Sequence, residues 1–117
     1  MGHPHRGEIW LAALDPTIGA EIKKTRPVLV ISNDVNNQFS NTVTILPISD
    51  KGNNVYPFEV HLSQKINGII KESKVRCQQI RTLDKSRFIK LLGKVDEVSL
   101  KQIERALLIH LGIEFDL

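Results

Sequence analysis

The residues best suited to chemistry form a short basic stretch, Lys23-Lys24-Thr25-Arg26-Pro27, that runs directly into the apolar Val28-Leu29-Val30-Ile31. A proline disfavours helix for the residue before it, so Arg26 is expected in extended backbone at the mouth of a strand. A guanidinium grips a phosphate through two parallel hydrogen bonds and stays cationic throughout the physiological range. The same side chain is equally suited to a surface ion pair with Glu21 or Asp15. Ser49, at the exit of a later strand, adds a hydroxyl, although serine in that place is commonly just a turn residue.

Other catalytic arrangements fail. His3, His5, His61 and His110 are scattered, and no H-E-x-x-H pattern or Cys/His cluster is present, so no metal site and no cofactor is expected. Cys77 is the single cysteine, which excludes a disulfide framework and a thiolate metal site within one chain. The glycines are dispersed and make no phosphate-cradling loop. His110 falls beside the apolar stripe of a terminal helix, a packed or surface position, and His3-Pro4-His5 belongs to an N-terminus, residues 1–5, expected to be flexible and inert.

The elements that must position Arg26 and Ser49 are mostly strands. Gly7 to Leu14 alternates, with Ile9, Leu11 and Ala13 opposed to Glu8, Trp10 and Ala12, and Asp15-Pro16 breaks it. The connection from Asp15 to Lys24 is long for a hairpin, as functional loops often are. Pro27 to Ile31 reads as a buried second strand, followed by Ser32-Asn33-Asp34 as a turn or brief helical turn. Thr42 to Ile48 is a third, with Pro47 implying an edge or a bulge. Pro57 to Leu62 places Phe58, Val60 and Leu62 on one face and Glu59 and His61 on the other. Further strands are expected over Ser73–Arg81 and Phe88–Val95. Leu100, Ile103, Ala106, Leu107 and Leu111 then recur at helical spacing, with a capping box from Ser99 to Gln102 and Gly112 as the stop. The sum is a mainly β, α+β chain: a small curled antiparallel sheet or barrel with one C-terminal helix.

At 117 residues this is one domain, residues 1–117, with enough chain for a core without disulfides. The single cysteine and the lack of a membrane span or secretory signal point to the cytoplasm and to no membrane partner. Charge is uneven: eight Lys/Arg against two carboxylates lie between Lys71 and Lys94, whereas five carboxylates face two cations from Asp96 onward. A basic centre beside an acidic end suits a polyanionic partner, and equally an ordinary solvated surface.

Several segments, in order, carry a family resemblance: Arg6-Gly7-Glu8-Ile9-Trp10, Leu14-Asp15-Pro16 with Gly19 and Glu21, Thr25 through Asp34, Pro47-Ile48-Ser49, Gln79 through Arg87, and Ala106 through Gly112. The chain resembles the MazF/PemK (Kid-like) toxin endoribonucleases of type II toxin–antitoxin systems. The resemblance implies an SH3-like small barrel with a C-terminal helix, a homodimer, and metal-independent cutting of single-stranded RNA at a short sequence. It also implies inhibition by a cognate antitoxin, with DNA binding by the toxin–antitoxin complex. Carried over by motif, Arg26 is the catalytic arginine, and Ser49 stands where the family often has threonine. The residues assigned to RNA are Glu21, Lys23, Lys24, Thr25, Asp50, Lys51, Asn53, Tyr56, Gln79 and Arg81; Trp10 and Phe58 are read as packing.

Without a metal, the simplest nucleophile is the ribose 2′-hydroxyl, which leaves a 2′,3′-cyclic phosphate and a free 5′-hydroxyl. Two other readings belong to different classes: a CcdB-like gyrase poison of the same fold, and a catalytically silent RNA- or antitoxin-binding homologue. Arg26-Pro27 and Ser49 oppose the first, as does the ending Ile113-Glu114-Phe115-Asp116-Leu117, which lacks a tryptophan.

Overall fold

A computed structural model describes residues 2–63 and 71–115, so Met1 and the last two residues of the C-terminal segment discussed above lie outside it. Its elements are β1 (Glu8–Ala13), β2 (Thr25–Val30), α1 (Asp34–Phe39), β3 (Thr42–Asp50), β4 (Glu59–Leu62), β5 (Ser73–Arg76), β6 (Arg81–Asp84), β7 (Phe88–Lys94) and α2 (Glu97–Leu111). Short 3₁₀ turns cover Cys77–Gln79 and Lys85–Arg87. The strands pair antiparallel in the order β4-β5-β3-β2-β1-β7, with β6 also on β3. The expected mainly β architecture with a terminal helix is therefore present. The sheet curls, but among the described residues no pairing joins β7 to β4 and closes it into a barrel.

The sheet is packed on both faces. Toward α2, Ile9, Leu29, Leu46, Ile48, Val75, Ile103 and Ala106 form one core; on the other face Trp10, Ala12, Leu14, Val28, Val30, Val43, Ile45 and Leu83 form a second. The alternation expected in β1 therefore has no solvent face along Ile9-Trp10, both of which are buried in different cores. A half-polar strand reads as one-sided only when its second face meets water, and here the curl covers it.

Strand β3 organises the site. Along one edge it pairs with β2, with Val28 opposite Pro47 and Val30 opposite Ile45. Along the other it changes partner: Thr42–Ile45 pair with β6, and Ile48–Asp50 with β5. Pro47 falls in the gap between those two partners, where a missing N–H leaves no ladder bond unmade on that edge. The single strand expected over Ser73–Arg81 is broken at the same place. Its ladder stops at Arg76, bulges through Cys77–Ile80, and resumes at Arg81 three residues out of register.

The ends of the helices follow local chemistry. Asn33 caps α1, accepting from the Asn36 N–H at 2.8 Å. In α2 the cap is Asp96, whose carboxylate accepts from the Ser99 N–H at 2.7 Å, so the helix starts two residues before the capping box expected at Ser99. Aspartate is as good a cap as serine, and the spacing to Ser99 lets it reach the third N–H. Gly112 ends the helix in the left-handed region, as expected. The N-terminal residues expected to be loose make definite contacts: Pro4 is buried, the His5 N–H donates to Glu8, and Arg6 bonds to the Ile31 carbonyl and to Glu104 of α2.

Candidate active site

Arg26 lies within β2, opposite Ala12 of β1. Its approach is made by Lys24, a non-glycine residue at φ 70°, which turns the chain sharply into the strand; the Lys24 carbonyl accepts from the Leu14 N–H at 2.9 Å. Among the described residues the exposed Arg26 side chain makes one bond, from Nε to the Lys23 carbonyl at 3.2 Å. The proposed ion pair with Glu21 or Asp15 does not form: Glu21 accepts from the Ile18 N–H, and Asp15 from the Thr17 hydroxyl. A guanidinium with a free fork is thus held on a strand.

Ser49 stands in β3 opposite Lys74 of β5, one residue inside the strand end rather than in a turn. It is half-buried, and its hydroxyl reaches only the Asp50 carbonyl, at 3.3 Å. Arg26 and Ser49 each lie two residues beyond Val28–Pro47, the last pair of the β2–β3 ladder, at the same end of these adjacent strands.

A cleft of about 560 Å³, whose lining includes neither Arg26 nor Ser49, is formed by Pro16, Ile18, Ala20, Glu21, Ile22, Pro47, Gln78, Gln79, Ile80 and Arg81. It brings together three of the residues assigned to RNA: Glu21, Gln79 and Arg81. Gln79 and Arg81 are also structural. The Gln79 amide clamps the 15–24 loop from both ends, donating to the Ala20 carbonyl at 3.2 Å and accepting from the Ile22 N–H at 3.1 Å. Arg81 donates to the Leu14 carbonyl at 2.8 Å, and Arg87 to the Ala13 and Asp15 carbonyls. Arg81 and Arg87 thus hold the base of the loop. Lys23, Lys24 and Thr25 are exposed at its end.

Asp50, Lys51, Asn53 and Tyr56 do not line the cleft. Asp50 ends β3 and lies 3.8 Å from Lys71; the other three belong to the β3–β4 connection, where the Lys51 N–H donates to the Glu72 carbonyl. Tyr56 is half exposed, with its ring parallel to Phe58 at 5.6 Å.

Sequence pattern alone misplaced Glu59. It alternates with apolar neighbours and was expected on the solvent face, yet its carboxylate is fully buried. Burial by itself pushes that carboxyl up, but bonds from Lys74, Gln78 and the Tyr56 N–H, with the Lys74 charge, outweigh it and hold the group below its ordinary range. Cys77, buried next to it, is pushed up to about 12 by burial and then by the Glu59 charge, which leaves an unreactive thiol. Among the described residues no three His, Cys, Asp or Glu gather into a metal-holding group.

The model of PemK-like, MazF-like toxins of type II toxin–antitoxin systems matches residues 5–111, nearly the whole of this chain. The chain belongs to that family. Endoribonuclease MazF9 of Mycobacterium tuberculosis (strain ATCC 25618 / H37Rv) is 35% identical over 113 residues, covering 92% of this chain and 96% of its own. Endoribonuclease MazF of Staphylococcus epidermidis is 38% identical over 109 residues, with 92% and 91% covered. The crystal structure of MazF from Deinococcus radiodurans superposes with a TM-score of 0.85 at 26% identity, over 97% of this chain and all of that one. A MazE–MazF structure from the same organism gives 0.76 at 26% identity, over 95% and 98%. MazF-family membership sets the site in its frame: Arg26, Ser49 and the loop beside them occupy the resembling segments.

Proposed function

We propose that this MazF-family toxin is an endoribonuclease that cuts single-stranded RNA at Arg26 and Ser49 without a metal. The observation that carries the reading is the Arg26 fork on β2, unpaired among the described residues, on the strand next to the one that carries the Ser49 hydroxyl, in a chain that matches the toxin family over 5–111. An arginine stays protonated at neutral pH and has no free lone pair to take the 2′-hydroxyl proton. Arg26 therefore stabilises the charge that grows on the phosphorane oxygens and donates a proton toward the leaving 5′-oxygen, while Ser49 binds the scissile phosphate and relays the 2′-hydroxyl proton to water, from which Arg26 recovers its own. The products are a 2′,3′-cyclic phosphate and a 5′-hydroxyl.

Lys23, Lys24 and Thr25 lie beside Arg26 to hold flanking phosphates. Glu21, Gln79 and Arg81 at the cleft, and Asp50, Lys51, Asn53 and Tyr56 on the second loop, read unstacked bases. The whole chain acts as one cytoplasmic toxin domain, and among the described residues no helix is long and apolar enough to cross a membrane. By analogy with the Deinococcus MazE–MazF pair, a cognate antitoxin covers the site; carboxylates on it suit a surface that attracts RNA. A homodimer is part of the same reading. The apolar residues of β3 that might have served it, Val43, Ile45, Leu46 and Ile48, are consumed by the protomer's own cores, which leaves Ile109 and Leu111 of α2 and Val35 and Phe39 of α1 exposed.

Purified protein incubated with a mixed-sequence RNA in excess EDTA should give discrete cuts, and Arg26→Ala should lose them by about a hundredfold or more while remaining folded. A requirement for added magnesium, or full activity in that variant, overturns the mechanism. Inhibition of gyrase supercoiling without RNA cutting favours the gyrase-poison reading instead.

A further inference from the structure

The buried carboxylate of Glu59 is engaged by every side. Oε1 accepts from Lys74 Nζ at 2.8 Å and from the Tyr56 N–H at 3.1 Å, and Oε2 accepts from Gln78 Nε2 at 2.6 Å, with Arg76 Nε 3.2 Å away. Lys74 is itself nearly buried. Its ammonium also donates to the Asn54 carbonyl at 3.0 Å and lies 5.8 Å from the centre of the Tyr56 ring.

A buried ion pair is costly to desolvate and contributes little net stability over apolar packing, so its use here is better sought in what it positions. Every bond from this pair into the β3–β4 connection ends at Asn54 or Tyr56, and the Glu59 N–H closes the same turn on the Tyr56 carbonyl at 2.9 Å. The ring so fixed is the chain's single tyrosine; it is 50% exposed and lies parallel to Phe58, which in turn lies 6.2 Å from His110 of α2. An exposed aromatic face held rigid beside a cation is the platform on which an unstacked base stacks in single-stranded nucleic acid.

We propose that Glu59 is a positioning residue for RNA binding: acting through Lys74 and the Tyr56 backbone, it orients the Tyr56 ring as a stacking face for one nucleobase. This rests on the RNA-cutting function above. Because the ring makes no bond to Arg26 or Ser49 and does not line the cleft, its loss should weaken RNA binding and leave the chemical step nearly intact.

Single-turnover cutting is measured against RNA concentration for wild type, Tyr56→Ala, Glu59→Gln and the double variant. Each single substitution should raise the half-saturating concentration by about tenfold, the scale of one lost base stack, with the saturated rate within about threefold of wild type. The double variant should bind no worse than Tyr56→Ala alone, because Glu59 acts through that ring; a purely structural role would multiply the two losses. In parallel, 2-aminopurine is placed at each position of an RNA blocked by 2′-O-methylation at the mapped cut. One position should be quenched by wild type and recover in Tyr56→Ala.

If Glu59→Gln does not fold by circular dichroism, Glu59→Gln/Lys74→Met, which leaves Lys74's charge removed as well, replaces it. Unchanged half-saturation and quenching in Tyr56→Ala, or multiplied losses in the double variant, overturn the inference while RNA cutting by wild type still stands. Wild type that cuts no RNA overturns both.

Discussion

Arg26 and Ser49 stand on adjacent strands, each two residues past the Val28–Pro47 pair, and among the described residues neither side chain is bound to the other or to a carboxylate. Arg26 spends one N–H on the Lys23 carbonyl and keeps its fork free; Ser49 reaches only its neighbour's carbonyl. A site that must wrap a phosphate at the moment of reaction gains from groups fixed by backbone and left unpaired by side chains, since no bond must be broken first.

On the proposed mechanism the Ser49 hydroxyl is the group required, and a methyl beside it should do no harm. Ser49→Thr should keep cutting within about threefold of wild type, and Ser49→Ala should lower the rate by roughly tenfold to a hundredfold. Rates are compared at saturating RNA. Full activity in Ser49→Ala would remove this residue from the site.

Gln79 is expected to act by holding the 15–24 loop. Gln79→Ala deletes two hydrogen bonds that together should be worth about 1–3 kcal/mol of loop closure, so trypsin should cut after Lys23 or Lys24 at least about fivefold faster. Limited proteolysis under native conditions reads this directly, with Gln79→Glu as a control that keeps the acceptor for Ile22 and loses the donor to Ala20.

Acid should destabilise the protein through three hydrogen-bonded aspartates. The Ser99 hydroxyl and N–H hold Asp96 below its ordinary range, the Ser86 hydroxyl and N–H do the same for Asp84, and the Arg6 N–H for Asp34. A folded pKa below the unfolded one stabilises above the unfolded value and loses that contribution as pH falls through the folded one. Melting temperature should therefore be flat from about pH 5 to 7 and fall below about pH 4. Asp96→Asn, which still caps, should flatten part of that fall, whereas Asp96→Ala should lower the melting temperature by a few degrees even at neutral pH.

Cys77 has the opposite sign. Burial, then the Glu59 charge, raises its pKa to about 12, so the stability it contributes is complete below the unfolded thiol value and is lost as pH rises past about 9. Native protein at pH 8 should leave a disulfide reagent unreacted until denaturant is added. Cys77→Ala should remove part of the alkaline loss seen in melting curves.

Much of the local backbone around the candidate site was legible in the chain. Pro27 announces an extended Arg26, because a proline ring restricts its predecessor whatever the rest of the fold does. Gly112 announces the end of α2, because a left-handed residue there favours glycine. The β-rich pattern with one terminal helix followed from periodicity, and the ordered segments from Arg6 to Gly112 carried the family. These are local effects, set by a residue and its immediate neighbours.

What tertiary structure decided was every question of which groups meet. Alternation sent Glu59 to the solvent face, and only the pairing of β4 with β5, which sets Glu59 opposite Arg76 and His61 opposite Lys74, shows the carboxylate buried among cations. The strand read from Ser73 to Arg81 bulges because β3 changes partner at Pro47, a fact held in residues some thirty positions away. Arg81 and Arg87 looked like free cations and proved to be clamps on Ala13, Leu14 and Asp15. Residue type and spacing determine backbone preference and candidate chemistry; partnership between distant charges depends on register, curl and burial, which no short stretch of sequence contains.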